Sequence, residues 1–254
     1  MRLDQRLVQL KLAESRSKAQ GMISAGNVFV CGKQITKASY DPGDNKIEII
    51  GETLRYVSRG GLKLEKALDV FGINVTGLIC ADIGASTGGF TDCLLQRGAS
   101  KVYAIDSGSD QLHGRIKEDE RVISMEGFNA RELSLSDLSV PVDLVVMDVS
   151  FISQALLYPA VSRVLREGGA FISLIKPQFE VGRANLGKGG IVKNTALYPE
   201  VIRDLEKRSA PYSLIMKNHT ESPIKGGDGN TEFLAYFIKQ KGDHEDEKDS
   251  DRTE

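Results

Sequence analysis

The sequence predicts an α/β protein: a mostly parallel, seven-stranded sheet covered by helices on both faces, preceded by a small α+β module. Three observations carry this. From residue 62 onward short apolar runs alternate with helical segments. A glycine-dense loop, Gly84-Ala85-Ser86-Thr87-Gly88-Gly89, joins one apolar run to a helix. The first 60 residues follow a shorter rhythm and carry a different charge. Apolar strands alternating with helices mark a parallel sheet buried on both faces, whose ligands sit outside the carboxyl ends of the strands.

The 254 residues suffice for a small and a medium domain. A net charge of −2 hides an asymmetry. Residues 1–60 hold ten Lys and Arg against six Asp and Glu, whereas residues 242–254 hold two against seven. A basic start suggests a polyanionic partner; the acidic end cannot bury a core and is expected to be disordered. No apolar run approaches the ~20 residues that span a bilayer. Met1–Arg6 lacks the apolar core of a secretory signal, so a cytoplasmic protein without a membrane partner is expected. Cys31, Cys80 and Cys93, and likewise His113, His219 and His244, stand apart without metal-ligand spacing. No metal site is therefore expected, and no obligate protein partner.

In the first module, Leu3, Leu7 and Leu10 at helical spacing predict a helix over Leu3–Leu12. Ser15-Arg16-Ser17-Lys18 supplies caps for a second helix, Lys18–Ala25, ended by Gly26. Short strands follow at Val28–Val30, Gln34–Thr36 and Lys46–Ile50, with turns at Cys31-Gly32-Lys33 and Asp41-Pro42-Gly43-Asp44. Arg6, Arg16, Lys18, Lys33 and Lys37 are candidates for a basic, RNA-facing surface. The run Leu54–Gly61, which holds Arg59, looks like a hinge. The expected division is 1–55, a linker over 56–61, a domain over 62–241 and a tail over 242–254.

The larger domain opens with a helix over Leu62–Phe71, then strand Leu78–Ile83, the glycine loop and helix Phe90–Arg97. Strands are expected at Lys101–Ile105, Val122–Met125 and Val142–Met147. Helix Ser153–Leu165, strand Ala170–Ile175 and helix Thr195–Arg208 follow, with final strands Tyr212–Met216 and Glu232–Ile238.

The loop selects the cofactor class. A dinucleotide fingerprint needs Gly-x-Gly-x-x-Gly, but the glycines fall at 84, 88 and 89, with Ser86 where the pyrophosphate needs a glycine. A Gly-Lys-Ser/Thr ending is also absent. A cofactor without phosphates is favoured, and S-adenosylmethionine fits. Its methionine end and ribose need close backbone approach and an acid. Asp106, ending strand Lys101–Ile105, can accept from ribose hydroxyls. The expected cofactor residues are Asp82, Gly84, Ala85, Ser86, Thr87, Gly88, Gly89, Phe90, Thr91, Asp106, Asn129 and Asp148.

Two further strands end in charge: Val142–Met147 in Asp148, and Ala170–Ile175 in Lys176. A lysine closing an apolar strand serves no packing purpose, and burial favours its neutral, basic form. Beyond it, Val181–Lys193 carries Arg183, Lys188 and Lys193 among four glycines and suggests a lid that grips an RNA backbone. Ser222–Asn230 suggests a second RNA-facing loop.

These motifs carry two resemblances. Ser15–Lys33 resembles the alpha-L RNA-binding module of a ribosomal protein, some pseudouridine synthases and tyrosyl-tRNA synthetase. Asp82–Phe90, Met147–Ser153 and Ile175–Glu180, with Val57–Leu64, resemble the FtsJ-like ribose 2′-O-methyltransferases. The order of the two modules over residues 1–240 resembles the TlyA family, which also carries the label hemolysin. The resemblance implies a Rossmann-like class I methyltransferase that uses S-adenosylmethionine to methylate ribose, of cytidine, in ribosomal RNA on ribosomal subunits. It also carries over a Lys-Asp-Lys-Glu tetrad, onto Lys63, Asp148, Lys176 and Glu232, with Lys66 as a rival for the first place. Tyr56 departs from the tryptophan of some relatives. Two other classes stay open: an RNA-binding factor that keeps a methyltransferase shell, and a membrane-active protein.

Overall fold

A computed structural model gives the fold and describes residues 1–24, 26–49 and 55–241. The ends of two expected elements, Ala25 and Ile50, lie outside the described residues, as do Leu54 of the hinge and the acidic tail. The chain forms two compact units, Met1–Arg55 and Tyr56 onward.

The first unit contains α1 (Leu3–Gln9), α2 (Arg16–Ser24) and an antiparallel sheet of β1 (Val28–Val30), β2 (Lys33–Gln34) and β3 (Ile47–Ile49) in the order β2-β1-β3. Its core is Leu3, Leu7, Ala19, Ile23, Val28 and Val30. Ser15 Oγ accepts from Lys18 N at 3.2 Å and caps α2. α1 ends three residues earlier than its leucine spacing predicts. Lys11 turns left-handed at φ 57°, and Leu12 N and Ala13 N donate back to Leu7 O, which tucks Ala13 into the core.

The second unit begins with α3 (Gly60–Phe71), β4 (Ile79–Ile83), α4 (Gly89–Gln96), β5 (Lys101–Ile105), α5 (Gly114–Lys117) and β6 (Val122–Met125). It continues through α6 (Leu135–Leu138), β7 (Val142–Met147), α7 (Tyr158–Val164), β8 (Leu165–Ile175), α8 (Tyr198–Ser209), β9 (Leu214–Glu221) and β10 (Phe233–Lys239). The seven strands follow the order β6-β5-β4-β7-β8-β10-β9. The first five run parallel, and β10 is antiparallel to both its neighbours. Alternate residues of each strand enter opposite cores. Val145, Met147, Phe171 and Phe237 pack with Tyr158, Val161 and Leu205 on one face. Leu144, Val146, Ile172 and Leu234 pack with Leu64, Leu68 and Leu94 on the other.

β8 starts at Leu165, where the sequence suggested the end of a helix. Leu165 pairs with Val142, and pairing resumes at Ala170 with Leu144, so Arg166–Gly169 bulge out without breaking the strand. The preceding helix is shorter than expected: a 3-10 turn, Gln154–Leu157, leads into α7. The four-residue helices α5 and α6 are too short to show a periodic signal. The expected linker packs on the second unit. Tyr56 is buried, Val57 N donates to Asp92 Oδ2 of α4 at 2.7 Å, and the Tyr56 ring lies where a side chain on Gly61 would have to be.

Strand order reverses between β4 and β7, which opens a crevice at their carboxyl ends. The glycine loop, Asp148 and Lys176 all end strands on this edge.

Candidate active site

The glycine loop lies at the centre of the crevice. Gly84 adopts φ +85°, and a Cβ there would stand 2.3 Å from the Asp148 carbonyl oxygen. A side chain at this point would therefore wedge β4 and β7 apart. Below the loop, Asp82 is fully buried and accepts from Thr91 Oγ1 at 2.7 Å. Burial, with Asp148 and Asp106 nearby, pushes its carboxyl up to about 7. Asp82, Thr91 and Gly88 support the loop from behind and line neither of the two cavities beside it.

The larger cavity, about 600 Å³, is lined by Gly84, Ser86, Asp106, Asn129, Asp148 and Phe151, with apolar surface from Ile105, Phe128, Ile152 and Leu157. Asp106 is set by two backbone donors, Ser86 N to Oδ2 at 2.8 Å and Gly108 N to Oδ1 at 2.7 Å. A carboxylate has about four acceptor sites, so two remain for a diol. Asn129 caps a 3-10 turn through its side-chain oxygen, accepting from Arg131 N, and faces the same cavity. The smaller cavity, about 250 Å³, lies on the other side of the loop, where Ala85, Thr87, Gly89 and Phe90 meet Ser58, Arg59, Lys63 and Lys225. Gly84, Ser86 and Asp148 line both.

Two ion pairs flank these cavities. Lys63 points inward from α3 and is buried, with Nζ 2.5 Å from Oε2 of the equally buried Glu232. Lys66, its rival in the sequence, is exposed and lines neither cavity. Lys176 Nζ lies 2.5 Å from Asp148 Oδ1, as a charge contact outside hydrogen-bond alignment, and donates to Ser150 Oγ at 2.8 Å. In each pair the cavity-lining member, Lys63 or Asp148, is backed by a partner from another element. Glu232 is itself held in a tight corner. Ser222 N donates to its carbonyl, and a Cβ on Gly226 would fall 2.6 Å from its Oε1.

Sequence reasoning missed several of these groups. Ser150 anchors Lys176, Ser58 lies against Gly89, and Lys225 borders the smaller cavity. Asn230 ties the expected lid to the edge of β10: its Oδ1 accepts from Val192 N and its Nδ2 donates to Gly190 O, both at 3.0 Å. Phe151 is 89% exposed at φ +66°, with its ring 5.3 Å from that of Phe179. An aromatic inside a strand-end motif was the signal for it.

The expected RNA-facing cations are dispersed. Arg59 borders the smaller cavity, while Arg183 and Lys188 are exposed on the Val181–Lys193 segment and line neither cavity. In the first unit Lys33 and Lys37 are exposed. Lys18 lies 3.9 Å from Glu14, and Arg6 donates to Gln9. Arg16 is partly spent on Asp4, a fully buried carboxylate that also accepts from Arg2 and Gln20. Those donors, Arg2 first, hold the Asp4 carboxyl far below its ordinary range.

Residues 56–239 match the model of the FtsJ-like methyltransferases, and residues 1–45 that of the S4 domain. The chain belongs to the FtsJ-like methyltransferases. Within them it sits with the TlyA proteins. Hemolysin A of Brachyspira hyodysenteriae is 44% identical, over 94% of this chain and all of that one. The 16S/23S rRNA (cytidine-2′-O)-methyltransferase TlyA of Mycobacterium tuberculosis is 38% identical, over 94% of this chain and 90% of its own. A solved structure from Streptococcus thermophilus, described as a candidate hemolysin, is 42% identical with a TM-score of 0.76, covering 94% and 88% of the two chains. As an FtsJ-like methyltransferase the chain is an enzyme whose methyl donor is S-adenosylmethionine. The crevice fits that donor: close backbone approach at Gly84, a diol acceptor in Asp106 and an apolar cavity wall beside it. Among the described residues no helix is long and apolar enough to cross a membrane.

Proposed function

We propose that this methyltransferase acts on the ribose 2′-hydroxyl of a cytidine in ribosomal RNA, on ribosomal subunits in the cytoplasm. The observation that carries the reading is the pair of opposed ion pairs, Lys63–Glu232 and Lys176–Asp148, set against the glycine loop. The likeness to the Mycobacterium tuberculosis enzyme, named for this reaction, supports the choice of acceptor.

In the larger cavity Asp106 would hold the donor's ribose, and Phe128, Asn129 and the apolar wall would hold its base. Ser86, Gly84 and Asp148 would hold the methionine end where the two cavities meet. Bound there, the donor supplies an electrophilic methyl group on sulfur. Lys176 Nζ faces the acceptor 2′-oxygen: as an ammonium it stabilises the negative charge that develops there, or, having passed a proton to Asp148, it takes the hydroxyl proton as a neutral amine. Asp148 and Ser150 hold that ammonium in place, and Glu232 does the same for Lys63. Four charges in one pocket are tolerable only when paired, so the tetrad acts as a coupled unit. Held geometry can supply ~7–11 kcal/mol of the barrier reduction.

Phe151, exposed at the mouth of the larger cavity, offers a stacking face for an unpaired base. Lys33, Lys37, Arg6, Arg16, Lys18, Arg59, Arg183 and Lys188 contact RNA phosphates. Purified protein with tritiated S-adenosylmethionine and separated ribosomal subunits tests the reading, with mass spectrometry locating the label. A 2′-O-methylcytidine is expected. Label in a base, in protein or nowhere refutes it, and the last outcome would favour a non-catalytic RNA-binding factor.

A further inference from the structure

The loop after β7 carries Asp148, Ser150 and Phe151, and the loop after β8 carries Lys176, Phe179 and Glu180. Besides the Lys176–Asp148 ion pair and a Ser153–Glu180 side-chain hydrogen bond, three contacts join them. Lys176 Nζ donates to Ser150 Oγ at 2.8 Å, the Phe151 and Phe179 rings lie 5.3 Å apart, and Gln154 N donates to Glu180 Oε1 at 2.9 Å. The first two lie at the cavity, and the third anchors them from below.

We infer that Glu180 is the positioning residue of the site, the clamp that holds the Asp148–Ser153 loop in register with Lys176. Four observations converge on it. First, Phe151 adopts φ +66° without being glycine, and such a conformation persists only where its surroundings enforce it. Second, the Gln154–Leu157 turn that ends this loop has Ser153 as its N-cap, and Ser153 makes no cap hydrogen bond. Glu180, arriving from the other loop, supplies the acceptor for Gln154 N instead. Third, Gln154 reaches back across the sheet: its side chain is hydrogen-bonded to Ser173 Oγ on β8, three residues before Lys176. Gln154 is thus held by β8 through its side chain and by Glu180 through its backbone. Fourth, Lys176–Val181 is a rigid turn, with Phe179 N donating to Lys176 O and both Glu180 N and Val181 N to Pro177 O. A displacement at Glu180 is passed to Lys176.

The surroundings argue against a packing role. Tyr158 near it belongs to the hydrophobic core, and burial raises the Glu180 carboxyl above its ordinary range despite its bonds to Gln154 and Ser153 and the nearby Arg208. An apolar residue would fill this space at lower cost. A carboxylate there is needed for its acceptor oxygen. Glu180 borders neither cavity, so it acts through Asp148 and Lys176 without touching donor or acceptor.

This role presupposes the methyl-transfer reading proposed above. The test compares wild type, Glu180→Ala and Glu180→Gln in full-length protein, well below the unfolding midpoint of each. Readouts are kcat and KM with tritiated S-adenosylmethionine and ribosomal subunits, donor affinity by calorimetry, and amide exchange across residues 148–157. Glu180→Ala should lower kcat at least fivefold, leave donor affinity within about twofold, and speed exchange at Gln154 and the preceding loop. Glu180→Gln keeps the acceptor oxygen and should recover most of the kcat and the protection. A kcat loss under fivefold, a loss no larger than that of folded protein, or a Gln variant as impaired as the Ala variant overturns the inference. If wild type methylates nothing, the enzymatic reading itself fails. If wild type is active and the alanine variant matches it, only the role of Glu180 fails.

Discussion

Lys63 and Glu232 are nearly dry, with side chains 11% and 3% exposed, and form a buried ion pair. Removing one partner of such a pair strands the other and costs about 3–5 kcal/mol, whereas removing both need not. Glu232→Ala should therefore lower stability in urea by about that amount, and Lys63→Met with Glu232→Leu should regain most of it while staying inactive. Equal stability of single and double variants would contradict the pairing. Lys176 differs, because its partner Asp148 is more exposed and Ser150 shares its load. Lys176→Ala should reduce methyl transfer by at least a thousandfold and leave donor affinity within about twofold, measured by calorimetry and single turnover. Asp82 bears on stability. Its folded-state pKa of about 7 exceeds the ordinary 3.8, so the folded state binds the extra proton between those values. Its favourable contribution is complete below pH 3.8 and is lost as pH rises through 7. Asp82→Asn should flatten this decline, seen as a smaller fall in unfolding free energy from pH 5 to 8 than in wild type.

At the scale of elements, the β4–α4 connection does two things at once. It brings the chain within contact of the β7 end at Gly84, and it starts α4 against Ser58 of the preceding segment at Gly89. Gly84→Ala would have to accommodate both a left-handed backbone and a Cβ 2.3 Å from the Asp148 carbonyl oxygen. It should weaken S-adenosylmethionine binding tenfold or more by calorimetry, with far-ultraviolet circular dichroism unchanged; undiminished affinity would show that the loop is not the donor's seat. The glycine spacing made this loop visible in the sequence, because close approach demands glycine at fixed positions. β5, β6 and β7 were equally legible as short apolar runs, each holding a single polar residue, Lys101, Ser124 and Asp143. The start of β8 was not, since Gly168-Gly169 looks like a break until Val142 is seen pairing with Leu165. The Asn230 clasp on the Val181–Lys193 segment was invisible as well, because its partners lie about forty residues away.

At the scale of the molecule, a basic S4 unit is joined to an FtsJ-like unit with a charged crevice. If Lys33 and Lys37 meet phosphates, binding to ribosomal subunits should weaken steeply with salt. Replacing both by alanine should lower the slope of log K against log salt by roughly 2, with little effect on donor affinity. An unchanged slope would remove this surface from the RNA interface. The sequence by itself determined the alternation of strands and helices, the glycine loop and the charged strand ends, because each is a local pattern with one conformational solution. It also named the methyl donor class, through a loop spaced wrongly for a dinucleotide. The resemblance favoured Lys63 over Lys66, but only the tertiary structure decided which of them is buried beside the smaller cavity, since the two differ in the face of α3 they occupy. The Lys63–Glu232 and Lys176–Asp148 ion pairs and the contacts of Ser150 and Glu180 likewise came from the fold. They are contacts between loops that the strand order brings together, and pairings across a sheet leave no trace in the spacing of residues along the chain.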